Sequence, residues 1–145
     1  SAPLAAAALQ PLPTIEAESF VLCIDNEARV REAMAVLLGG WGCRVATAAT
    51  EEEAWQTVER EGRLPDLLLA DLHLDGGPDG LEVVETLRRR WGRPVPAALV
   101  TADRDPTLRL RARARQIELL HKPVKPASLR ALLRLRSSAT GRLTA

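Results

Sequence analysis

The chain has 145 residues, 46% of them hydrophobic and 27% charged, which suits one globular domain with its own core and excludes a wholly disordered or fibrous protein. No apolar run approaches the ~18–20 residues of a membrane helix, and three Trp, one Phe and no Tyr make no stacking surface for single-stranded nucleic acid. The net charge of +1 hides a division, because residues 1–103 sum to −8 and residues 104–145 to +9.

Residues 1–19 are rich in Ala and Pro, and no helical period survives Pro11 and Pro13, so they read as a linker or tail. The stretch lacks a basic start, so it does not read as a signal peptide. The absent initiator Met fits a fragment of a longer protein, although Met removal leaves the same sequence. Phe20 to Ile24 is a short apolar strand ending in Asp25. Val30, Ala33, Met34, Leu37 and Leu38 then recur with helical period, and Gly39-Gly40 stop that helix. Cys43 to Ala48 reads as a weaker strand. Thr50 and Glu53 form a capping box for a helix to about Glu61, with Gly62 as its stop.

Leu67 to Ala70 is a buried strand ending in Asp71. A Gly/Asp/Pro loop from Asp75 to Gly80 leads to a helix with Leu81, Val84 and Leu87 on one face. Val95 to Val100 is the fourth strand, ending in Thr101. Asp105 and Pro106 are the N-cap and first residue of a fourth helix. Ile117 to Leu120 is the fifth strand, ending near Lys122. Pro126 to about Arg136 is the last helix, and residues 137–145 read as a tail. Strands alternating with helices, each strand a near-continuous apolar run, predict an α/β/α three-layer sandwich around a five-stranded parallel sheet.

The strand ends carry the polar residues. Asp25, Asn26 and Glu27 follow the first strand, Asp71 the third, Thr101 the fourth, and His121 with Lys122 the fifth. Ligands of open parallel sheets bind at the carboxyl ends of the strands, so these groups are expected to converge. Two carboxylates in one pocket repel, and a divalent cation removes that conflict. A lysine and a hydroxyl beside such an ion suit the remaining oxygens of a phosphoryl group. The set therefore points to phosphoryl transfer, with Asp71 as nucleophile forming an aspartyl phosphate.

Together, VLCIDNE (21–27), PDLLLADLHL (65–74), Asp79-Gly80, LVTAD (99–103) and HKPVKPASL (121–129) resemble the receiver domain of two-component response regulators and hybrid histidine kinases, from about Phe20 to Arg136. The resemblance implies a flavodoxin-like (βα)5 fold with strand order 2-1-3-4-5. It implies that Asp71 accepts a phosphoryl group from a phosphohistidine, with Thr101 and Lys122 contacting that group. It further implies Mg²⁺, with Mn²⁺ as the alternative, held by Asp25, Asn26, Asp71 and the backbone carbonyl of His73. A cis Lys122-Pro123 bond belongs to the same pattern. So do a histidine kinase or histidine phosphotransfer domain as partner, an option of homodimerising through the helix 4–strand 5–helix 5 face, and a cytoplasmic location, with no direct nucleic-acid or membrane contact. The IDNE start resembles receivers placed at the C-terminus of hybrid sensor kinases, whose parent chains can be membrane-attached.

Four departures qualify the resemblance. Asn26 stands where a second metal-binding Asp is usual. Leu119 replaces the usual switch aromatic. The loop from Asp71 to Asp79 is about one residue longer, and the usual Gly-containing turn before the last strand is ARQIE (114–118). Two other functions compete. A degenerate receiver would bind a partner without phosphorylation. An aspartyl-nucleophile phosphatase of the haloacid-dehalogenase type would need Asp at 73, where His73 stands, and a cap for which 145 residues leave little room. Beyond self-phosphorylation and autodephosphorylation the domain is not expected to be a conventional enzyme.

The other residues have plainer readings. Cys23 and Cys43 are expected to be buried free thiols. His73 bears a ring that, if it reached the site, would tune phosphoryl hydrolysis. His121 is expected to be a half-buried neighbour. Trp41, Trp55 and Trp91 are expected to pack helices. Arg109, Arg111, Arg113 and Arg115 spread over a solvated helix face, with an acidic protein partner as the next reading.

Overall fold

The computed structural model describes residues 19–74 and 77–144, with side chains described through Leu135. The leader before Ser19, and Asp75 and Gly76 of the expected loop, lie outside the described residues. The elements run β1 (Phe20–Ile24), α1 (Ala28–Gly40), β2 (Arg44–Ala48), α2 (Glu51–Glu61), β3 (Leu67–Asp71), α3 (Gly80–Trp91), β4 (Ala97–Thr101), α4 (Pro106–Ala114), β5 (Ile117–His121) and α5 (Pro126–Thr144). The strands form one parallel sheet in the order β2-β1-β3-β4-β5. Both the fold class and the strand order agree with the sequence reading.

The order changes direction once, between β1 and β3. Parallel crossovers keep one hand, so connections stepping in opposite directions lie on opposite faces. Leu22, Ile24, Leu68, Ala70 and Leu99 accordingly pack against Val58 of α2, Val84 and Leu87 of α3, and Leu108 of α4. The alternate side chains, Val21, Cys23, Leu67, Leu69 and Ala98, meet Leu38 of α1 and Leu129, Leu132 and Leu133 of α5. β1, β3 and β4 are buried along their whole length, which is why their sequences read as unbroken apolar runs. Each such Leu or Ile contributes ~1.5–3 kcal/mol by leaving water.

Helix ends follow local chemistry. Thr50 Oγ1 accepts from Glu53 N–H at 3.2 Å, and Asp105 caps α4 through Thr107 N–H at 2.9 Å ahead of Pro106. The capping box is only half formed, because the Glu53 carboxylate accepts from Ala49 N–H at 3.5 Å rather than from Thr50 N–H. α1 includes Gly39 and Gly40, and the left-handed residue beyond it is Gly42 at φ 91°. α5 runs to Thr144, past the end expected near Arg136. Residues 137–144 contain no Pro, and one Gly costs a helix only ~1 kcal/mol, so nothing in the sequence stops it.

The ARQIE turn is also resolved. Gln116 takes the left-handed conformation at φ 56°, a position that costs a side-chain-bearing residue ~1–2 kcal/mol. Arg88 of α3 holds this turn. Its guanidinium donates to the carbonyls of Val95 (2.9 Å), Arg115 (2.6 Å) and Gln116 (3.1 Å), while Arg115 pairs with Glu85 at 2.6 Å.

Gly80 joins the fold to the strand-end cluster. Its N–H donates to Leu72 O at 2.7 Å, and a Cβ there would overlap Asp71 O and stand 2.8 Å from the Asp71 carbonyl carbon. Only glycine lets α3 start this close to the end of β3. Gly80→Ala should therefore cost about 1–3 kcal/mol, the usual range for forced overpacking, measured by urea unfolding.

Candidate functional site

Three polar side chains are almost fully buried where the carboxyl ends of β1, β3 and β4 meet: Asp25 and Asp71, each 5% exposed, and Thr101 at 1%. β1 and β3 are neighbours in the sheet, so their terminal carboxylates lie side by side at the point where the strand order reverses. Lys122, just beyond β5, brings its ammonium to 3.3 Å from Asp71 Oδ2. The Lys122-Pro123 bond is cis, as the resemblance implied.

Backbone groups hold each side chain. Asp25 N–H donates to Ala48 O (3.0 Å), and Asp25 Oδ1 accepts from Glu27 N–H (2.9 Å). Asp71 Oδ1 accepts from His73 N–H at 3.2 Å. Lys122 N–H donates to Thr101 O at 2.8 Å, and Thr101 Oγ1 accepts from Asp103 N–H at 3.0 Å. α1 has no side-chain N-cap. Instead, Arg31 donates from its first turns to Asp25 O at 2.6 Å, a contact with no recognisable signal in the sequence.

Burial, and then the neighbouring Asp71 carboxylate, push the Asp25 carboxyl above its ordinary pKa, against the lowering effect of the Glu27 N–H bond and Lys122. Burial, followed by the Asp25 charge, also pushes the Cys23 thiol up to about 12. Cys23 and Cys43 are both buried free thiols, as expected. The crowded carboxylates are a donor set that suits a hard divalent cation: oxygen ligands with negative charge in excess of the single facing ammonium. No third His, Cys, Asp or Glu joins them among the described residues, so any further protein ligand must be a neutral oxygen such as the Asn26 carboxamide or a main-chain carbonyl.

Asn26 is half-buried between Asp25 and the exposed Glu27, and the His73 side chain is exposed on the rim. His121 is half-buried and faces a surface depression beside α4. Leu119 is half-buried in the same depression, so the position of the usual switch aromatic carries a small aliphatic group. Trp55 packs under the Arg90 guanidinium at 4.1 Å, and Trp41 lies 5.3 Å from Arg130. The apolar face of α1 is only partly covered. Val30, Ala33 and Met34 line a cleft of about 400 Å³ that Asp71 and Val124 also border. The periodicity of α1 did not distinguish these cleft positions from core ones.

A carboxyl whose pKa is raised on folding opposes folding once it ionises. Stability is therefore lost as pH rises from the ordinary Asp range through the raised Asp25 value. Asp25→Asn should raise the melting temperature at pH 7 in metal-free buffer, and the gain should shrink as pH falls toward 4. Thermal unfolding followed by circular dichroism across that range checks it.

Comparison with known proteins bears on the family and the fold. Residues 21–134 match the family model for the response regulator receiver domain. The chain is 39% identical over 85 residues to the transcriptional regulatory protein AfsQ1 of Streptomyces coelicolor, covering 59% of this chain and 36% of AfsQ1. It is 32% identical over 121 residues to the response regulator protein PilR of Pseudomonas aeruginosa, covering 80% of this chain and 26% of PilR. The chain thus spans about a third or less of these two relatives. Among solved structures, a response regulator receiver domain protein from Clostridium thermocellum superposes with a TM-score of 0.76 at 19% identity, covering 87% of this chain and 99% of that one. The chemotaxis protein CheY4 of Vibrio cholerae gives 0.72 at 24% identity, covering 82% and 98%. With the family match spanning the sheet, its helices and the whole acidic strand-end cluster, the chain belongs to the response regulator receiver domain family.

Proposed function

We propose that this domain accepts a phosphoryl group on Asp71 from a phosphohistidine of a histidine kinase or histidine phosphotransfer domain. The observation that carries this reading is the buried Asp71 carboxylate, beside Asp25 and 3.3 Å from the Lys122 ammonium. In the transfer, an Asp71 carboxylate oxygen forms a bond to phosphorus as the phosphorus–nitrogen bond of the donor breaks, and that electron pair stays on the departing imidazole. Lys122 and the Thr101 hydroxyl offer donors to the phosphoryl oxygens, and Glu27 and His73 N–H groups hold the two carboxylates in place. Asp25, Asn26, Asp71 and the His73 carbonyl would hold Mg²⁺, or Mn²⁺ in its place. The ion would supply charge neutralisation for the carboxylates and the incoming phosphoryl group.

The cleft between α1 and the β5–α5 loop supports the donor assignment. It presents Val30, Ala33 and Met34 directly beside Asp71, a surface on which an apolar helix of the donor can rest. Among the described residues, no helix is long and apolar enough to cross a membrane. On the likeness of its IDNE start we place the domain in a hybrid sensor kinase, facing the cytoplasm. A phosphorylation-independent binding role is the second reading, favoured by Asn26 and Leu119, and the first experiment below separates the two.

Intact-mass spectrometry after incubation with acetyl phosphate should show one phosphoryl group gained with Mg²⁺, none in EDTA, and none in Asp71→Asn. Absence of any gain, with both acetyl phosphate and a phosphohistidine donor, would leave only the binding role.

Asn26 should weaken the metal site. One unit charge at 4 Å is worth ~4 kcal/mol at an effective dielectric of ~20, and an open cleft screens much of that. Asn26→Asp should therefore tighten Mg²⁺ by at least about tenfold, or ~1.4 kcal/mol, in calorimetric titration. An unchanged affinity refutes the assignment of Asn26 as a ligand.

A further inference from the structure

We infer that the pocket between the ends of α2 and α3 is a binding site for a small, neutral aromatic amide. This goes beyond phosphotransfer and does not rest on it. The pocket has a volume of about 290 Å³ and is lined by Trp55, Val58 and Glu59 of α2, by Arg63 and Leu64, and by Trp91 at the end of α3. It lies at the amino-terminal edge of the sheet. Leu64 leads into β3, and the Arg63 guanidinium stands 5.3 Å from the ring of Phe20, the first residue of β1. Roughly 16 Å of α3 separates Trp91 from Gly80, and so from Asp71.

Two observations point to a ligand. Trp91 Nε1 is buried and donates to nothing among the described residues. A buried indole N–H ordinarily finds an acceptor, because leaving it unpaired is costly. Glu59 is exposed and has no ion-pair or hydrogen-bond partner among the described residues. The other glutamates of α2 are all engaged: Glu51 and Glu52 by Arg90, Glu53 by a main-chain N–H, and Glu61 by Arg44.

The lining selects the ligand. The Trp55 and Trp91 rings, with Val58 and Leu64, give an apolar surface on which a flat ring packs. A volume near the lower end of ligand pockets admits one ring system. Trp91 N–H calls for an acceptor and Glu59 for a donor, and a carboxamide supplies both from one planar group. A net charge of either sign meets a like charge, since Arg63 and Glu59 both line the pocket. The Arg90 guanidinium already covers Trp55 at 4.1 Å, which takes up the face a cationic ligand would need. Solvent does not reach Trp91 Nε1, so the Trp91 ring turns toward the amide on binding.

The test titrates benzamide into the ¹⁵N-labelled chain and follows the indole N–H signals of its three tryptophans, with that of Trp91 identified by its loss in Trp91→Phe. Benzamide should move the Trp91 indole proton downfield, as a new hydrogen bond does. Trp91→Phe keeps a ring and removes the donor, and Glu59→Ala removes the acceptor. Each should weaken binding roughly fivefold, the fold-change of about one lost hydrogen bond. Glu59 is exposed, so its variant should fold normally, and the amide spectrum checks this. Asp71→Asn should leave binding intact, so this inference and the phosphoacceptor reading can fail separately. Equal binding of toluene would overturn the role of the amide. Tighter binding of benzoate or of benzamidine would overturn the proposal in favour of an anion or a cation. A Trp91 indole signal that stays in place throughout the titration would overturn the site itself.

Discussion

Two largely buried carboxylates sit side by side at the strand ends, and much of the surrounding structure bears on that conflict. Asp25 and Asp71 are brought together because β1 and β3 are neighbours at the reversal of strand order. Burial and mutual repulsion make full ionisation unfavourable, and Asp25 shows it in a raised pKa. The opposing forces are local: main-chain N–H groups from Glu27 and His73, and the ammonium of Lys122. Ionised Asp25 opposes folding, and a cation held between the carboxylates would relieve that repulsion.

Holding that pocket open takes rigidity elsewhere. α3 begins against the Asp71 backbone because Gly80 has no Cβ. From the other end of the same helix, Arg88 gathers three carbonyls from the entries to β4 and β5, and so steadies the strands that deliver Thr101 and Lys122. The left-handed Gln116 falls inside this clamp, which accounts for a turn without glycine. One helix thereby links the Asp71 end of the sheet to the turn at its opposite end.

Charge is segregated along with function. The acidic half of the chain supplies the pocket and α2, and the basic half supplies α4, the β5 rim and the start of α5. Lys122 belongs to both, touching Asp71 on one side and bordering a surface depression with Arg104 and Lys125 on the other. A change in charge at Asp71 therefore acts on a residue that also lines the outer surface.

The order of apolar runs, helical periods and caps was enough to establish a parallel α/β sheet, because burial on both faces leaves unbroken apolar strands and each polar strand end stands out against them. Asp25, Asp71, Thr101 and Lys122 were legible for that reason, and the Thr50 and Asp105 caps because their chemistry is local. Other features depended on distance in three dimensions. The Arg31 bond to Asp25 O and the Arg88 clamp use long, flexible side chains whose partners no spacing rule picks out. α1 looked like an ordinary core-facing helix, yet part of its apolar face borders a cleft, since periodicity reports which residues share a face and not what covers it. α5 outran its expected end because the sequence carries no proline there, and a single glycine costs a helix only ~1 kcal/mol. The repulsion between Asp25 and Asp71 was legible from their places at two strand ends, but the largest cause of the raised Asp25 pKa is burial, and how deeply the carboxyl is buried only the folded sheet decides.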